Sequence, residues 1–339
     1  MSLRPLSLQD LNDLRALFLS FPYKAHQQRA QGLEADRLAE FFTQAEERVL
    51  RKALQENRPC QWLLRHDTGE KVFAALHEDA WHTKFYPYPF GRIAPFLSHT
   101  ASEPTRLEMI DFLLERARER GFEHLTTRVD GAEYLAAQAL EARGFRLVDS
   151  SVKLSTRFQE VPDLATPSRA TAMRVRPWKQ SDLEAIRRIA AQSHPMNHYY
   201  NDPWLAREAS NRLFAAWVER CCQGLACDIF VLDHRGEVEG FVVYLNAGGL
   251  NTTFGLRLVI LDFVCLAESA RGGGVGRWFI AQTLQRLSDR FAMVELRTSH
   301  HNYPALACYQ ALGMRIVSTD LIYHRHAPDP SNKPQEKRP

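Results

Sequence analysis

The chain has 339 residues, about twice the usual length of one domain, so we expect two domains. Hydrophobic residues make up 45% of it, and a net charge of +3 with both signs interspersed gives no indication of nucleic acid as a partner. No window approaches the roughly eighteen uninterrupted apolar residues of a membrane span, and the N-terminal residues lack the apolar core of a signal peptide, so we expect a cytoplasmic protein that binds no membrane. Residues 328–339 are rich in proline and charge with nothing apolar to bury, and we expect a disordered tail there.

The first half of the chain begins with a short predicted strand at residues 2–6, and an amphipathic helix follows it. Residues 121–128 are typical of a strand that is entered from a helix, and a further helix from Leu135 ends in a glycine turn at Gly144. The β-rich residues 146–148 come next. This alternation of strands and helices predicts an α/β unit.

Residues 162–178, PDLATPSRATAMRVRPW, combine prolines with a Ser/Thr cluster between two apolar-patterned regions. This composition is typical of a linker, and we place a domain boundary near residue 168. Beyond it the plan of the first half recurs, because residues 290–297 are again a strand entered from a helix and a short helix from Pro304 ends in a glycine turn at Gly313. The sequence therefore predicts an internal repeat of one α/β unit.

Six cysteines are scattered without a disulfide framework, which suits a reducing compartment. Cys221, Cys222 and Cys227 could in principle hold a metal ion, but they lack a second pair of ligands and follow an amphipathic helix. We therefore expect these thiols to pack as small apolar groups and the protein to bind no metal.

A glycine-rich loop follows the most apolar strand of the chain. Residues 258–265 form an almost continuous apolar run, which predicts a central strand, and the loop Arg-Gly-Gly-Gly-Val-Gly at residues 271–276 lies between it and an amphipathic helix. Successive backbone N–H groups of such a loop and a helix N-terminus form a cradle for an anion that a Cβ would obstruct. A flexible turn is the alternative interpretation. A P-loop would need a Lys followed by Ser or Thr where Arg277 and Trp278 stand, and a dinucleotide site would follow the first strand of its unit.

At these residues the chain resembles the Gcn5-related N-acetyltransferases (GNAT), whose signature R/Q-x-x-G-x-G/A follows the fourth strand and is filled by Arg271, Gly274 and Gly276. The resemblance covers roughly residues 172–327. It implies an α/β (α+β) chain of two tandem GNAT-like domains, each a mixed, mostly antiparallel sheet flanked by helices. A degenerate domain would occupy residues 1–160 and a catalytic acyltransferase domain residues 172–327.

The resemblance also implies acetyl-CoA, or another acyl-CoA, as co-substrate. Its pyrophosphate would lie on the backbone amides of the glycine loop, and the pantetheine arm would enter a wedge between two splayed strands. The cofactor-binding residues that this implies are Leu266, Ala267, Arg271, Gly272, Gly273, Gly274, Val275, Gly276, Arg277 and Asn302.

The segment from Asn302 to Met314 resembles a second GNAT element, N-x-x-A-x-x-x-Y-x-x-x-G-F/M. A thiolate leaves a thioester more readily when an acid can protonate it, and the phenol of Tyr309 suits that role, with a packed helix tyrosine as the alternative. Asn302 would cap this helix and contact the cofactor arm. Glu268 is the first candidate for the base that deprotonates the amine and His194 the second, although such lone residues are more often solvated or structural.

An aromatic and polar stretch at residues 193–204 either lines an acceptor pocket or is a surface loop with anchored aromatics. Together with the helix at residues 211–219 it resembles acetyltransferases that act on nucleotide-linked 4-amino-6-deoxysugars such as fucosamine. The resemblance implies a small molecule with a primary amine as acceptor, and it leaves a monomer and a homodimer open. A non-catalytic CoA-binding or regulatory protein and a tandem acyltransferase of the mycothiol-synthase kind are the alternatives.

The first half lacks these features. Residues 98–105 contain no glycine where the second half has its loop, and Leu140 aligns with Tyr309. We expect the first domain to be a scaffold or a wall for the acceptor. Residues 81–90, WHTKFYPYPF, would contribute to such a wall unless they only pack together.

Overall fold

A computed structural model describes residues 2–20, 31–192 and 196–327. These residues form two compact units. The first unit contains the chain up to Ser150, the short segment Asp202–Trp204 and the residues from Ser318 onward. The second unit contains Ser151–Asn201 and Leu205–Val317.

The first unit is built on a mixed sheet. Its strands, in spatial order, are β1 (Ser2–Pro5), β2 (Gln61–Arg65), β3 (Lys71–Glu78), β4 (Phe90–Leu97), β5 (His124–Asp130) and residues 320–326 of β12 (Arg315–His326). The β4–β5 pair is parallel, and the other neighbours are antiparallel. Its helices are α1 (Leu11–Leu19), α2 (Ala35–Gln55), α3 (Ala80–Thr83), α4 (Glu103–Glu119) and α5 (Tyr134–Ala142).

The second unit has the same plan. Its strands, in spatial order, are β7 (Met173–Pro177), β8 (Asp228–His234), β9 (Glu237–Asn246), β10 (Leu258–Leu266), β11 (Met293–Ser299) and residues 151–157 of β6 (Arg146–Arg157). Only the β10–β11 pair is parallel. Its helices are α6 (Leu183–Gln192), α7 (His198–Asn201), α8 (Arg207–Arg220), α9 (Gly248–Phe254), α10 (Val275–Leu287) and α11 (Tyr303–Ala311).

The predicted fold class is confirmed, because each unit is a mixed and mostly antiparallel sheet with helices. The units divide the chain at other points than the predicted residues 160, 172 and 327, because the final strand of each sheet comes from the far end of a long strand. The predicted linker also packs against the second unit, because Ala170 is fully buried and Leu164 lies against the core. The predicted tail at residues 328–339 lies outside the described residues. No helix in the described ranges is both long and apolar enough to cross a membrane.

A β-bulge in β10 determines which residues reach each face of the second sheet. Val259 and Leu261 belong to the core that contains α10, whereas Phe263 and Cys265 belong to the core on the other face. Alternate residues of a regular strand share one face, so the change of face requires one extra residue between them. The register with β9 shifts between Leu261 and Phe263, which makes Asp262 the residue at the bulge.

Candidate functional site

The second unit contains a cavity of about 840 Å³ at the end of its parallel strand pair. Strands β10 and β11 pair only from Leu258 to Leu261 on the β10 side. Residues of β10 beyond Leu261 and the last three residues of β11 both line the cavity. The two strands therefore present unpaired edges to the cavity, between which an extended ligand can enter.

The glycine loop forms one end of this cavity. Gly272, Gly273 and Gly274 have φ angles of +83°, +57° and +81°. A residue with a Cβ would adopt such a backbone conformation only at a cost of about 1–2 kcal/mol. This left-handed path lets the Val275 N–H donate to the Gly272 carbonyl at 3.2 Å and starts α10 immediately. The N–H groups of the first helical turn have no acceptor further back in the helix and face the loop opening, where they can bind an anion.

Arg169 lies across the same loop and was not predicted. Its guanidinium donates to the carbonyl oxygens of Ser269 and Arg271, each at 3.0 Å. Its Cδ lies 2.8 Å from where a Cβ at Gly273 would stand, so this glycine makes room for the arginine. An arginine in a Pro/Ser/Thr-rich segment carries no local signal for such a role, since only the fold brings it to a loop 100 residues away in the chain.

Tyr309 lies on α11 with 6% of its surface exposed, and it lines the cavity. Burial, with smaller contributions from neighbouring Cys308, Cys265 and Tyr244, raises the pKa of Tyr309 well above its ordinary value. The phenol is therefore protonated at neutral pH. Within the described ranges its hydroxyl has no hydrogen-bond partner in the protein, which leaves its proton available to a ligand in the cavity.

Asn302 precedes α11 and lines the cavity, as the sequence predicts for a cofactor contact. Its predicted side-chain cap is absent. The Nδ2 group instead donates to Thr298 Oγ1 at 3.1 Å, and only the backbone carbonyl of Asn302 accepts from the helix, from the Leu306 N–H at 2.9 Å. The cap is lost because the side chain bonds to the preceding strand.

Asp262 is a second cavity residue that the sequence analysis missed. The bulge in β10 points it at the cavity, where Trp217 Nε1 donates to its Oδ2 at 2.7 Å. Burial raises the pKa of the Asp262 carboxyl above its ordinary value, and the Trp217 hydrogen bond offsets part of the rise. The signal was present in the sequence as a single acidic residue within the apolar run LVILDFVC.

Residues 183–314, which contain Asp262, the glycine loop and Tyr309, match the Acetyltransferase (GNAT) family. The match takes in 132 of the 339 residues, and this part of the second unit is a GNAT domain. It is an N-acetyltransferase, and GNAT proteins generally use acetyl-CoA as acyl donor.

Two curated relatives of the chain have names that refer to saccharides. The chain is 23% identical over 252 residues to the spore coat polysaccharide biosynthesis protein SpsD of Bacillus subtilis, which covers 74% of this chain and 82% of the relative. It is 26% identical over 197 residues to a dTDP-fucosamine acetyltransferase of Escherichia coli, which covers 55% of this chain and 75% of the relative.

A solved structure extends the likeness of fold to nearly the whole chain. The crystal structure of a Gcn5-related N-acetyltransferase from Sphaerobacter thermophilus superposes with a TM-score of 0.61 at 15% identity. The match covers 96% of this chain and 95% of that one. Both units are thus included in the shared fold.

Some of the remaining predicted site residues line the cavity, and others do not. Leu266 and Arg277 line it, whereas Ala267 and the exposed Glu268 line a separate depression beside Glu237 and Glu239. His194 lies outside the described residues. Among the described residues, Asp262 lines the cavity that contains Tyr309 and Glu268 does not.

The hydrogen-bond donors and cations that surround the cavity fit the groups of acetyl-CoA. A diphosphate needs closely spaced N–H donors and cations, which the start of α10 and the cavity-lining Arg271 and Arg277 supply. A Cβ at Gly273 would stand against Arg169 and disturb this arrangement. The unpaired edges of β10 and β11 offer backbone groups to an amide-containing arm.

Proposed function

We propose that the second unit transfers an acetyl group from acetyl-CoA to the primary amine of a nucleotide-linked amino sugar. The proposal rests on one observation: the glycine loop, a protonated Tyr309 and the carboxyl group of Asp262 all line the same cavity. Transfer is direct, in a ternary complex without an acyl-enzyme.

In this reaction the amine nitrogen attacks the thioester carbonyl, the N–C bond forms and the C–S bond breaks. Asp262, as its carboxylate, accepts the proton that the amine loses, either directly or through water. A carboxylate whose pKa is raised is a stronger base than an ordinary one, which is why we assign this role to Asp262 rather than to Glu268. Tyr309 donates its proton to the departing sulfur and regains one from solvent.

Different residues would bind the different parts of acetyl-CoA. The backbone amides around Gly274 to Arg277 and the guanidinium groups of Arg271 and Arg277 would bind the diphosphate. Leu266 would line the arm at the unpaired edge of β10, and Asn302 would meet it from the start of α11. Tyr309 on α11, which also lines the cavity, would lie beside the sulfur.

Two observations support an amino sugar as acceptor. The far side of the cavity is lined by Tyr199 and Phe214, whose rings pack edge to face with centroids 5.9 Å apart, and by the polar residues Asn197 and His198. Rings of this kind pack against a sugar or base while polar groups orient it. The names of both curated relatives also point to saccharides, one of them to a nucleotide-linked amino sugar.

Release of the CoA thiol from acetyl-CoA, measured with a panel of acceptors, tests the proposal. We expect acceptor-dependent release with a nucleotide-linked 4-amino-6-deoxysugar and no release with the matched sugar that has a hydroxyl group in place of the amine. Mass spectrometry should find one added acetyl group on the amine. Preference for an amino-sugar thiol precursor would favour the mycothiol-synthase alternative. Binding of CoA without release for any amine would favour a non-catalytic protein.

A further inference from the structure

The first unit contains a cluster of histidines around one buried carboxylate. His124 of β5 and His326 of β12 are direct cross-strand partners, so their side chains share a face of the sheet. His324 lies on the same face, two residues before His326. Asp202, from the short segment Asp202–Trp204, accepts hydrogen bonds at its Oδ2 from His324 Nδ1 at 2.6 Å and from His326 Nε2 at 3.0 Å.

The three potential ligand atoms all lie within 4.8 Å of one another, and two of their separations match those between the ligands of one metal ion. His326 Nε2 lies 3.0 Å from Asp202 Oδ2 and 3.2 Å from His124 Nδ1. Ligand atoms at about 2.0–2.1 Å from a tetrahedral Zn²⁺ ion are separated by about 3.3 Å. An imidazole nitrogen carries either one proton or one lone pair in its ring plane, so a single proton cannot serve both neighbours of His326 Nε2 equally. One cation shared by the three groups satisfies all of them.

The surroundings hold these groups in place, as partners of metal ligands do. The Trp204 N–H donates to Asp202 Oδ1 at 2.9 Å, and His324 donates to the other oxygen, so the carboxylate is fixed on both sides. The ring of Phe90 packs on His124 with centroids 4.1 Å apart, and the ring of Trp204 stacks on His326 at 5.2 Å. His124 and Asp202 are buried, whereas His326 is partly exposed and provides a route for an ion.

We propose that His124, Asp202 and His326 bind one divalent transition-metal ion, with Zn²⁺ as the best match. Two imidazole nitrogens and one carboxylate oxygen are a ligand set that Zn²⁺ accepts, with water as the fourth ligand. The ion cross-links β5, β12 and the segment at residues 202–204, three parts of the first unit that are distant in the chain. Ligands so far apart in the chain leave no sequence motif of the kind that closely spaced cysteines form.

Calorimetric titration of the chelator-treated full-length protein with ZnCl₂ tests this site, alongside the visible absorption of the Co²⁺-loaded protein. We expect one high-affinity ion per chain, an intense Co²⁺ spectrum typical of four-coordination, and a higher Tm with Zn²⁺ than with chelator. Asp202→Asn and His326→Gln keep the size of each side chain and should each lower the Zn²⁺ affinity at least 10-fold, the range that loss of a ligand partner gives. His66→Gln is the matched control, because His66 bonds to Thr68 in an exposed turn of the same unit.

Circular dichroism on the metal-free variants separates loss of the ion from loss of the fold. If folded Asp202→Asn or His326→Gln protein binds Zn²⁺ as tightly as the parent, the proposal is wrong. It is also wrong if the parent binds no ion, or if substitution by Gln of His300 and His301, two histidines of the second unit that are adjacent in the chain, removes the ion instead. Because none of these readouts uses acyl transfer, the result is independent of the proposed activity.

Discussion

Removal of the Tyr309 hydroxyl tests the proposed mechanism at a single group. Tyr309→Phe removes a proton donor that has no partner in the described part of the protein and keeps the buried ring. We expect kcat to fall about 100-fold to 10,000-fold, the usual contribution of general acid catalysis, while KM for acetyl-CoA changes little. Steady-state kinetics at saturating acceptor, with chemistry shown to be rate-limiting, measures both constants.

Tyr244→Phe is the matched control for this substitution. Tyr244 is also a fully buried tyrosine of the second unit, but its hydroxyl bonds to Thr283 Oγ1 at 2.6 Å, and the residue does not line the cavity. Its loss should cost about 1 kcal/mol of stability and leave kcat within a few fold of the parent. A kcat for Tyr309→Phe that stays as close to the parent as that of the control would make Tyr309 a packing residue.

Asp262 gives the reaction a pH dependence. Burial raises the pKa of its carboxyl group, so it becomes a base only at a pH above the ordinary range of Asp. We expect kcat/KM to rise with pH through this raised pKa. Asp262→Asn, which keeps an oxygen for the Trp217 N–H, should lower kcat/KM about 100-fold or more and remove this acidic limb. If the rise of kcat/KM with pH is unchanged in the variant, another group, such as the acceptor amine, causes it.

Trp217→Phe tests the assignment of Asp262 as the base by the direction in which its pKa shifts. The indole N–H lowers the pKa of Asp262 by stabilising its charged form, so its removal should raise that pKa further. The acidic limb of kcat/KM should then move to higher pH, with the plateau at high pH nearly preserved. A shift to lower pH, or no shift in a folded variant, would contradict the assignment of Asp262 as the base.

These residues differ in how far the sequence could predict them. Tyr309 belongs to a motif with fixed spacing, so its position was predicted, and its role stays a prediction that the kinetic experiment tests. Asp262 depends on a β-bulge, and a bulge changes the direction of a side chain without a clear sequence signal. Arg169 depends on the packing of a segment that has the composition of a linker.

The loop at residues 271–276 acts as one element, and Gly274→Glu tests it. The substitution brings a carboxylate to the start of α10, where it would repel a diphosphate, so we expect CoA binding to be abolished. Any residue with a Cβ is also strained at the φ of +81°, which costs about 1–2 kcal/mol of stability. Isothermal titration of the folded variant with CoA measures the effect.

Gly255→Glu controls for strain and charge together. Gly255 has a similar φ of +68° at the end of α9, and nothing lies within 4 Å of where its Cβ would stand. This variant should lose comparable stability and bind CoA as the parent does. Unchanged CoA affinity in Gly274→Glu, or an equal loss in both variants, would show that the loop is not the diphosphate site.

The two longest strands explain why the domain boundaries could not be predicted. Strands β6 and β12 have 12 residues each, and in each of them the two ends belong to different units. Residues 151–157 pair with β11, and residues 320–326 pair with β5. Alternation of side chains predicts that a segment is a strand, but it does not specify which strand becomes its neighbour. The repeat of strands and helices was therefore predictable, and the unit to which each last strand belongs was not.

The two units of the molecule share a fold but differ where the diphosphate would bind. In the first unit, Glu70 accepts from Ser102 Oγ at 2.8 Å and from Thr105 Oγ1 at 2.5 Å, so a carboxylate of the chain itself occupies the start of α4. The residue aligned with Tyr309 is the fully buried Leu140. The first unit thus has its own anion at the helix N-terminus and an apolar side chain in place of the acid.

We propose that acyl transfer by the whole molecule uses a single site, in the second unit. Isothermal titration of the full-length protein with CoA counts the molecules that bind per chain. We predict a stoichiometry of one, which Gly274→Glu reduces to zero and Gly255→Glu leaves at one. A stoichiometry of two, or one site that survives in folded Gly274→Glu, would contradict the claim, because CoA would then bind outside the glycine loop.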